Sequence, residues 1–156
     1  MHILHLDDQL IVLDKPAGLP VLPDGWEKEA PYLVKMLEAE YGKIFIVHRL
    51  DRDTSGVMLF CKSAKIQKIL QENWNDIIRE RVYMAIVSGM LNPPSGEIAS
   101  YLKENAAGQV FSSREPGDGQ WAVTQYETIE SNEQYAMLRM SLRTGRKNQI
   151  RVHLQD

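Results

Sequence analysis

The chain of 156 residues contains one cysteine, Cys61, so no internal disulfide can form and a reducing compartment suits it. Cys61 lies within an apolar run and reads as a small buried hydrophobe. No apolar run approaches the ~20 residues of a membrane span. Met1-His2-Ile3-Leu4-His5 lacks the basic start and long apolar core of a signal peptide. These absences lead us to expect a cytoplasmic protein without membrane contact. The four histidines, His2, His5, His48 and His153, fall at no paired ligand spacing, and with no cysteine cluster zinc is not expected. A Gly-rich phosphate loop is also missing, because Thr144-Gly145-Arg146-Lys147 lacks the spacing. Basic residues are outnumbered: 18 Lys and Arg against 21 Asp and Glu give a net charge of -3, which argues against a simple nucleic-acid binder.

What is present suits an ordinary globular domain. A chain of this length is about one domain and buries roughly two-thirds of its unfolded surface. Ile3 to Leu6 and Leu10 to Leu13 flank Asp7-Asp8-Gln9 as a short hairpin. Asp14-Lys15-Pro16-Ala17-Gly18-Leu19-Pro20-Val21 is a shaped turn that buttresses a neighbour, since Pro fixes φ and Gly permits φ > 0. Pro31 to Tyr41 predicts a helix with Leu33, Met36, Leu37 and Tyr41 inward, ended by Gly42. Ala64 to Arg79 predicts a second, with Ile66, Ile69, Leu70, Trp74, Ile77 and Ile78 on one core stripe. Arg81 to Gly89 carries apolar residues on both faces and predicts a central strand. Glu97 to Lys103 is a further strand, and Glu104 to Gln120 breaks all periodicity, as a loop closing on substrate or a surface insertion. Trp121 to Ile129 and Tyr135 to Leu142 predict an antiparallel pair, and Lys147 to Leu154 a last helix with Ile150 and Leu154 inward.

The chemistry centres on His48-Arg49-Leu50-Asp51-Arg52-Asp53-Thr54-Ser55-Gly56, a polar turn between the apolar runs Ile44 to Val47 and Val57 to Cys61. Arg49 and Arg52 favour an ionised Asp51, and with it a nucleophile or base role over an acid one. Asp51 and Asp53 could instead hold Mg2+ for a nucleotide-sugar substrate. From Arg139 to Gln155 there are five basic residues (Arg139, Arg143, Arg146, Lys147, Arg151) and no acidic one. That segment is either a polyanion site or a solvated basic face.

His48-Arg49-Leu50-Asp51 followed by Thr54-Ser55-Gly56 resembles the signature of the RluA-type pseudouridine synthases. Three further segments agree in order and spacing: Asp14 to Gly18 with the family's structural motif, Tyr83 to Gly89 with its tyrosine strand, and Thr144 to His153 with its C-terminal motif. The resemblance implies an α/β (α+β) fold with a large, mainly antiparallel mixed sheet around a cleft. It implies that Asp51 catalyses conversion of a uridine in ribosomal or transfer RNA to pseudouridine, with no cofactor and no metal. By the same resemblance Arg151 pairs with that carboxylate, Tyr83 stacks on the uracil, and Arg49 fills the place the base vacates. Arg52, Arg146 and Lys147 are expected to contact RNA, the last two where free backbone N–H groups at a helix start suit a phosphate.

Two departures from the family pattern stand out. Asn148 occupies a position where the family commonly has His, which removes a titratable ring. Family members also run on for several strands past the C-terminal motif. The expectation is therefore one domain, 1–156, lacking its C-terminal part and with no RNA-binding domain in front, a monomer that is poorly active or inactive. Three functions compete: an RNA-modifying isomerase, a non-catalytic RNA-binding or RNA-folding module using the same basic cleft, and a metal-dependent glycosyl-transfer enzyme.

Overall fold

The first hairpin forms where two short apolar stretches flank an acidic turn. The structure, a computed structural model, describes residues 1–23 and 30–156, and in it β1 (His2–Leu6) pairs antiparallel with β2 (Leu10–Lys15). The Asp7 carboxylate closes their turn by accepting from the amides of Gln9 and Leu10, each at 2.7 Å. Two compact units follow from the contacts, Met1–Ile77 and Ile78–Asp156.

The first unit holds a four-stranded sheet in the order β1-β2-β4-β3, with β3 at Phe45–Ile46 and β4 at Gly56–Cys61. Ile11, Leu13 and Lys15 share the buried face of β2, opposite Phe60, Met58 and Gly56 of β4. A strand's two-residue period puts all three inward, the lysine included. Leu33 and Leu37 bury one side of α1 (Leu33–Tyr41), which Gly42 ends at φ 74°. Met36, expected inward, is 42% exposed. The helix predicted from Ala64 to Arg79 is broken into α2 (Ala64–Glu72) and α3 (Trp74–Ile77). Asn73 is the cause, since its side-chain amide donates to the Ile69 carbonyl at 2.8 Å and competes with helix continuation. Of the predicted stripe only Leu70 is buried, and Ile69 and Ile77 are exposed.

The second unit is built on a five-stranded sheet in the order β5-β9-β8-β6-β7. Its strands are β5 (Val82–Ser88), β6 (Ser95–Glu104), β7 (Val110–Ser113), β8 (Gln120–Ser131) and β9 (Tyr135–Leu142), followed by α4 (Gln149–His153). One face buries Ala136, Leu138 and Met140 of β9 under Tyr83, Ala85, Val87, Tyr126, Ile150 and Leu154. Two expectations are corrected here. Strand β5, predicted central, is an end strand among the described residues, and the side bearing Val82, Met84 and Ile86 is open, Ile86 at 71% exposure. The segment Glu104 to Gln120 is not devoid of regular structure: it contains β7, which pairs antiparallel with β6. The Asn105 side chain shapes that hairpin, accepting from the amides of Ala107 and Gln109 at 3.0 Å.

The class is α+β, with helices few and short. Where the resemblance implied one large mixed sheet, hydrogen bonding divides the described strands between two sheets whose pairings are all antiparallel. No helix among the described residues is long and apolar enough to cross a membrane.

Candidate active site

The nine-residue stretch 48–56 leaves β3 and enters β4, and alternate residues of its first half are tied down. His48 accepts at Nε2 from the Leu59 amide (3.0 Å), and its ring lies 5.2 Å from that of Trp74. The next inward residue, Leu50, is buried. The Arg52 carbonyl then accepts from two donors, Lys15 Nζ at 2.9 Å and the Gly18 amide at 2.9 Å. Between these anchors Arg49 is exposed and Asp51 half-buried, and the Thr54 amide donates to the Asp51 carbonyl at 3.2 Å. The Arg52 side chain turns back, its Nε donating to the Gly18 carbonyl at 3.3 Å.

Lys15 is the unusual element of this unit. Its side chain is wholly buried, yet its ammonium donates to three carbonyls, those of Pro16 (2.8 Å), Leu19 (2.8 Å) and Arg52 (2.9 Å). An ammonium has three N–H donors, so each has a partner and the buried charge is solvated by backbone dipoles. Burial pushes its pKa down from the usual lysine range, and the negative charges of Asp53 and Asp51 push it back up. One side chain thus joins the Asp14–Leu19 turn to the loop carrying Asp51. Sequence reading gave that turn a buttressing role but did not single out Lys15. The available signal was its parity with Ile11 and Leu13 on an alternating strand.

In the second unit, Tyr83 is half-buried on β5 and packs on the same cluster of β9 side chains as Ile150 of α4. Arg151 lies on the exposed side of α4. That helix is shorter than predicted: it starts at Gln149, after Asn148 in the left-handed region at φ 54°. Asn and His are both enriched among the non-glycine residues found there, so the exchange of the family's His for Asn keeps a residue type the backbone favours. The Arg146 amide, expected free, donates to Gln149 Oε1 at 3.0 Å, and the Arg146 Nε donates to the Trp121 carbonyl at 3.1 Å. Lys147 reaches the Glu104 carboxylate (2.5 Å) and the Gly108 carbonyl (3.1 Å). Arg81 fills the space under the preceding turn, donating to the carbonyls of Leu142 and Arg143 at 3.3 and 3.2 Å. An added Cβ at Gly145 would meet its guanidinium at 2.6 Å, a contact that the flexible end of Arg81 would have to move to relieve.

Beneath α4 lies a set of buried polar groups that sequence reading missed. Gln149, Thr124, His153 and Ser100 are all buried and hydrogen-bonded to one another. Gln149 and His153 stand four apart on a helix whose other inward positions are apolar, and that spacing was the available signal. Among the described residues, no group of three or more His, Cys, Asp or Glu is placed to hold a metal ion.

Comparison with known proteins decides the family. A family model described as RNA pseudouridylate synthase matches residues 9–156. The chain belongs to this family. It is 34% identical over 159 residues to a ribosomal large subunit pseudouridine synthase D of Xanthomonas campestris, covering 99% of this chain and 47% of that protein. It is 32% identical over 168 residues to a tRNA pseudouridine synthase C of Haemophilus ducreyi, covering 99% of this chain and 69% of that protein. Among solved structures, the human RNA pseudouridylate synthase domain containing 4 matches with a TM-score of 0.76 and 29% identity, over 99% of this chain and 63% of that one. The chain spans about half the length of most curated relatives it matches. With its RluA-type motifs it is an RluA-type pseudouridylate synthase sequence, and the Asp14–Gly18, Asp51, Tyr83 and C-terminal motifs all lie inside the matched region.

Proposed function

We propose that this pseudouridine synthase isomerises a uridine within ribosomal or transfer RNA, with Asp51 as the ionised catalytic carboxylate and with neither cofactor nor metal. In the overall change the glycosidic bond from C1′ to N1 breaks, a bond from C1′ to C5 forms, C5 loses a proton and N1 gains one. Product and substrate are isomers, so the reaction needs no oxidant or co-reactant. Attack on C6, attack on C1′ and proton abstraction at C2′ all require a charged, well-placed carboxylate.

The observation that carries this reading is the anchoring of the Asp51 loop. His48 is bound by the Leu59 amide, Leu50 is buried, and the Arg52 carbonyl is held by Lys15 and Gly18, so Asp51 stands half-exposed between fixed neighbours. Reactive groups on a loop gain precision when the flanking backbone is locked in this way. Arg49, exposed beside Asp51, has the planar cation that can stack in place of an extruded base. Tyr83 and Arg151 are assigned to the same reaction by their motif positions, as the ring that stacks on uracil and the guanidinium that keeps the carboxylate charged. Arg52, Arg146 and Lys147 are assigned to the RNA backbone.

The test is formation of pseudouridine in ribosomal and transfer RNA from cells lacking the gene, measured with chelator present. Formation by the parent chain and its loss in Asp51→Asn, with RNA binding retained, support the reading. Equal pseudouridine from both chains, or strict dependence on Mg2+ and a nucleotide sugar, would reject it.

A further inference from the structure

Helix α4 has five residues, fewer than an isolated helix needs to persist in water, so its orientation must come from what it rests on. Gln149, Val152 and His153 are its buried residues, and Arg151 is exposed. At about 100° per residue, Arg151 is turned roughly 200° from both Gln149 and His153. Whatever fixes the two inward polar groups therefore fixes the side of the helix from which the Arg151 side chain leaves.

The inward groups are held by hydrogen bonds with one consistent direction. The Gln149 side-chain amide uses its full capacity. Its Oε1 accepts from Thr144 Oγ1 (2.8 Å) and the Arg146 amide (3.0 Å), and its Nε2 donates to the Val123 carbonyl (3.0 Å) and Thr124 Oγ1 (2.8 Å). Thr144 Oγ1 in turn accepts from the Val123 amide at 2.8 Å. Thr124 Oγ1 also lies 2.8 Å from His153 Nδ1, and His153 Nε2 lies 3.2 Å from Ser100 Oγ. A threonine hydroxyl has one proton and two lone pairs; Gln149 Nε2 donates to the oxygen, and among the described contacts His153 Nδ1 is the acceptor within reach of that proton. With the hydroxyl donating, the neutral imidazole accepts at Nδ1 and carries its own proton on Nε2, facing Ser100.

We propose that Thr124 is a positioning residue: it sets the proton order of this chain, from Gln149 through Thr124 to a neutral His153 with its proton on Nε2. The order locks α4 against β8 and β6 and aims Arg151 for the reaction. This rests on the functional reading of Arg151 given above and extends it to groups that do not touch RNA. A completely satisfied buried network specifies one arrangement, and a partly satisfied one loses that property. Thr124→Val keeps the side-chain shape, removes the hydroxyl that meets His153 Nδ1 and takes one acceptor from Gln149.

Two measurements on the full chain test this. Nitrogen-15 NMR of the His153 ring in the unsubstituted chain should show a protonated Nε2 and an unprotonated, hydrogen-bonded Nδ1. A proton on Nδ1 would overturn the proposal whether or not Thr124→Val folds. In pseudouridine formation, Thr124→Val should lower kcat roughly 10- to 100-fold, as a misplacement near 1 Å does, with KM for RNA within about twofold. Thr124→Ser, which restores the hydroxyl, should recover most of that loss. Unchanged kcat in Thr124→Val, or a loss that serine does not rescue, would contradict the positioning role. If the unsubstituted chain makes no pseudouridine, the functional reading fails, and the ring spectrum then judges the hydrogen-bond order separately.

Discussion

The two motif-bearing regions hold their charged side chains by opposite means. The loop of Asp51 is tied through a buried cation, Lys15, whose three N–H groups meet three carbonyls. The helix of Arg151 rests on neutral groups, Gln149, Thr124, His153 and Ser100, that exchange hydrogen bonds among themselves. A buried ammonium satisfied by carbonyl dipoles binds strongly but depends on each acceptor staying in place. A neutral network carries less desolvation penalty, and its direction depends on which atom holds each proton. The region near the carboxylate contains the positive charge, and the region near the guanidinium contains none buried among those four groups.

Substitutions sharpen this contrast, and Lys15→Met should have the largest effect on stability. It takes the lysine donor from the Pro16 and Leu19 carbonyls and leaves the Arg52 carbonyl with the Gly18 amide alone, and chemical denaturation should show a loss of about 3 kcal/mol. A change below about 1 kcal/mol would mean the clamp is dispensable. Gln149→Leu should be next, near 2 kcal/mol, because the Thr144 hydroxyl and the Arg146 amide lose an acceptor while Val123 and Thr124 lose a donor. Equal or larger loss than for Lys15→Met would reverse the ranking of the two regions.

A third test uses pH. Burial pushes the His153 pKa below its usual value of 6.5, and the negative charge of Asp156 pushes the other way. In the unfolded chain His153 takes up a proton near 6.5, whereas in the fold it resists. Stability from this group is therefore complete above that pH and declines as pH falls from there through the lowered folded value. Denaturation of the parent should weaken over that interval, and His153→Gln should flatten this part of the profile. An unaltered profile would mean that His153 does not titrate differently in the fold.

The smallest effect on stability belongs to Lys147→Met. Its ion pair with Glu104 is half-exposed, and such pairs contribute less than about 1 kcal/mol. Combined with Arg146→Gln, the change should leave the fold intact while weakening RNA binding and reducing the slope of log affinity against log salt. An unchanged slope would remove both residues from the RNA contact.

Much of this was readable from residue order. Strands β2 and β4 coincide with apolar runs, β8 and β9 with the antiparallel pair expected there, and the Asp51 turn lies between the runs predicted to flank it. What escaped depended on partners distant in sequence. Strand parity with Ile11 and Leu13 points Lys15 inward, but nothing local shows how its charge is satisfied there, because one of its three acceptors is 37 positions away. Strand β5 has apolar residues on both faces and so reads as central, yet the side of Val82, Met84 and Ile86 is open among the described residues. Strand β7 was hidden by polar residues, since Val110-Phe111-Ser112-Ser113 has no two-residue period and is placed by its pairing with β6. The second helix failed at Asn73, where one side-chain hydrogen bond outweighed a continuous apolar stripe.

The central claim is that the Asp51 carboxylate performs the chemistry and that the anchored backbone on either side of it holds it in place. It is tested most directly by measuring pseudouridine formed in RNA by purified parent chain and by Asp51→Asn side by side, with denaturation midpoints and RNA affinities recorded for both. The account predicts a rate loss of roughly 1,000-fold or more in Asp51→Asn, with midpoint and affinity close to those of the parent. Pseudouridine forming at the parent rate in the substituted chain would contradict it.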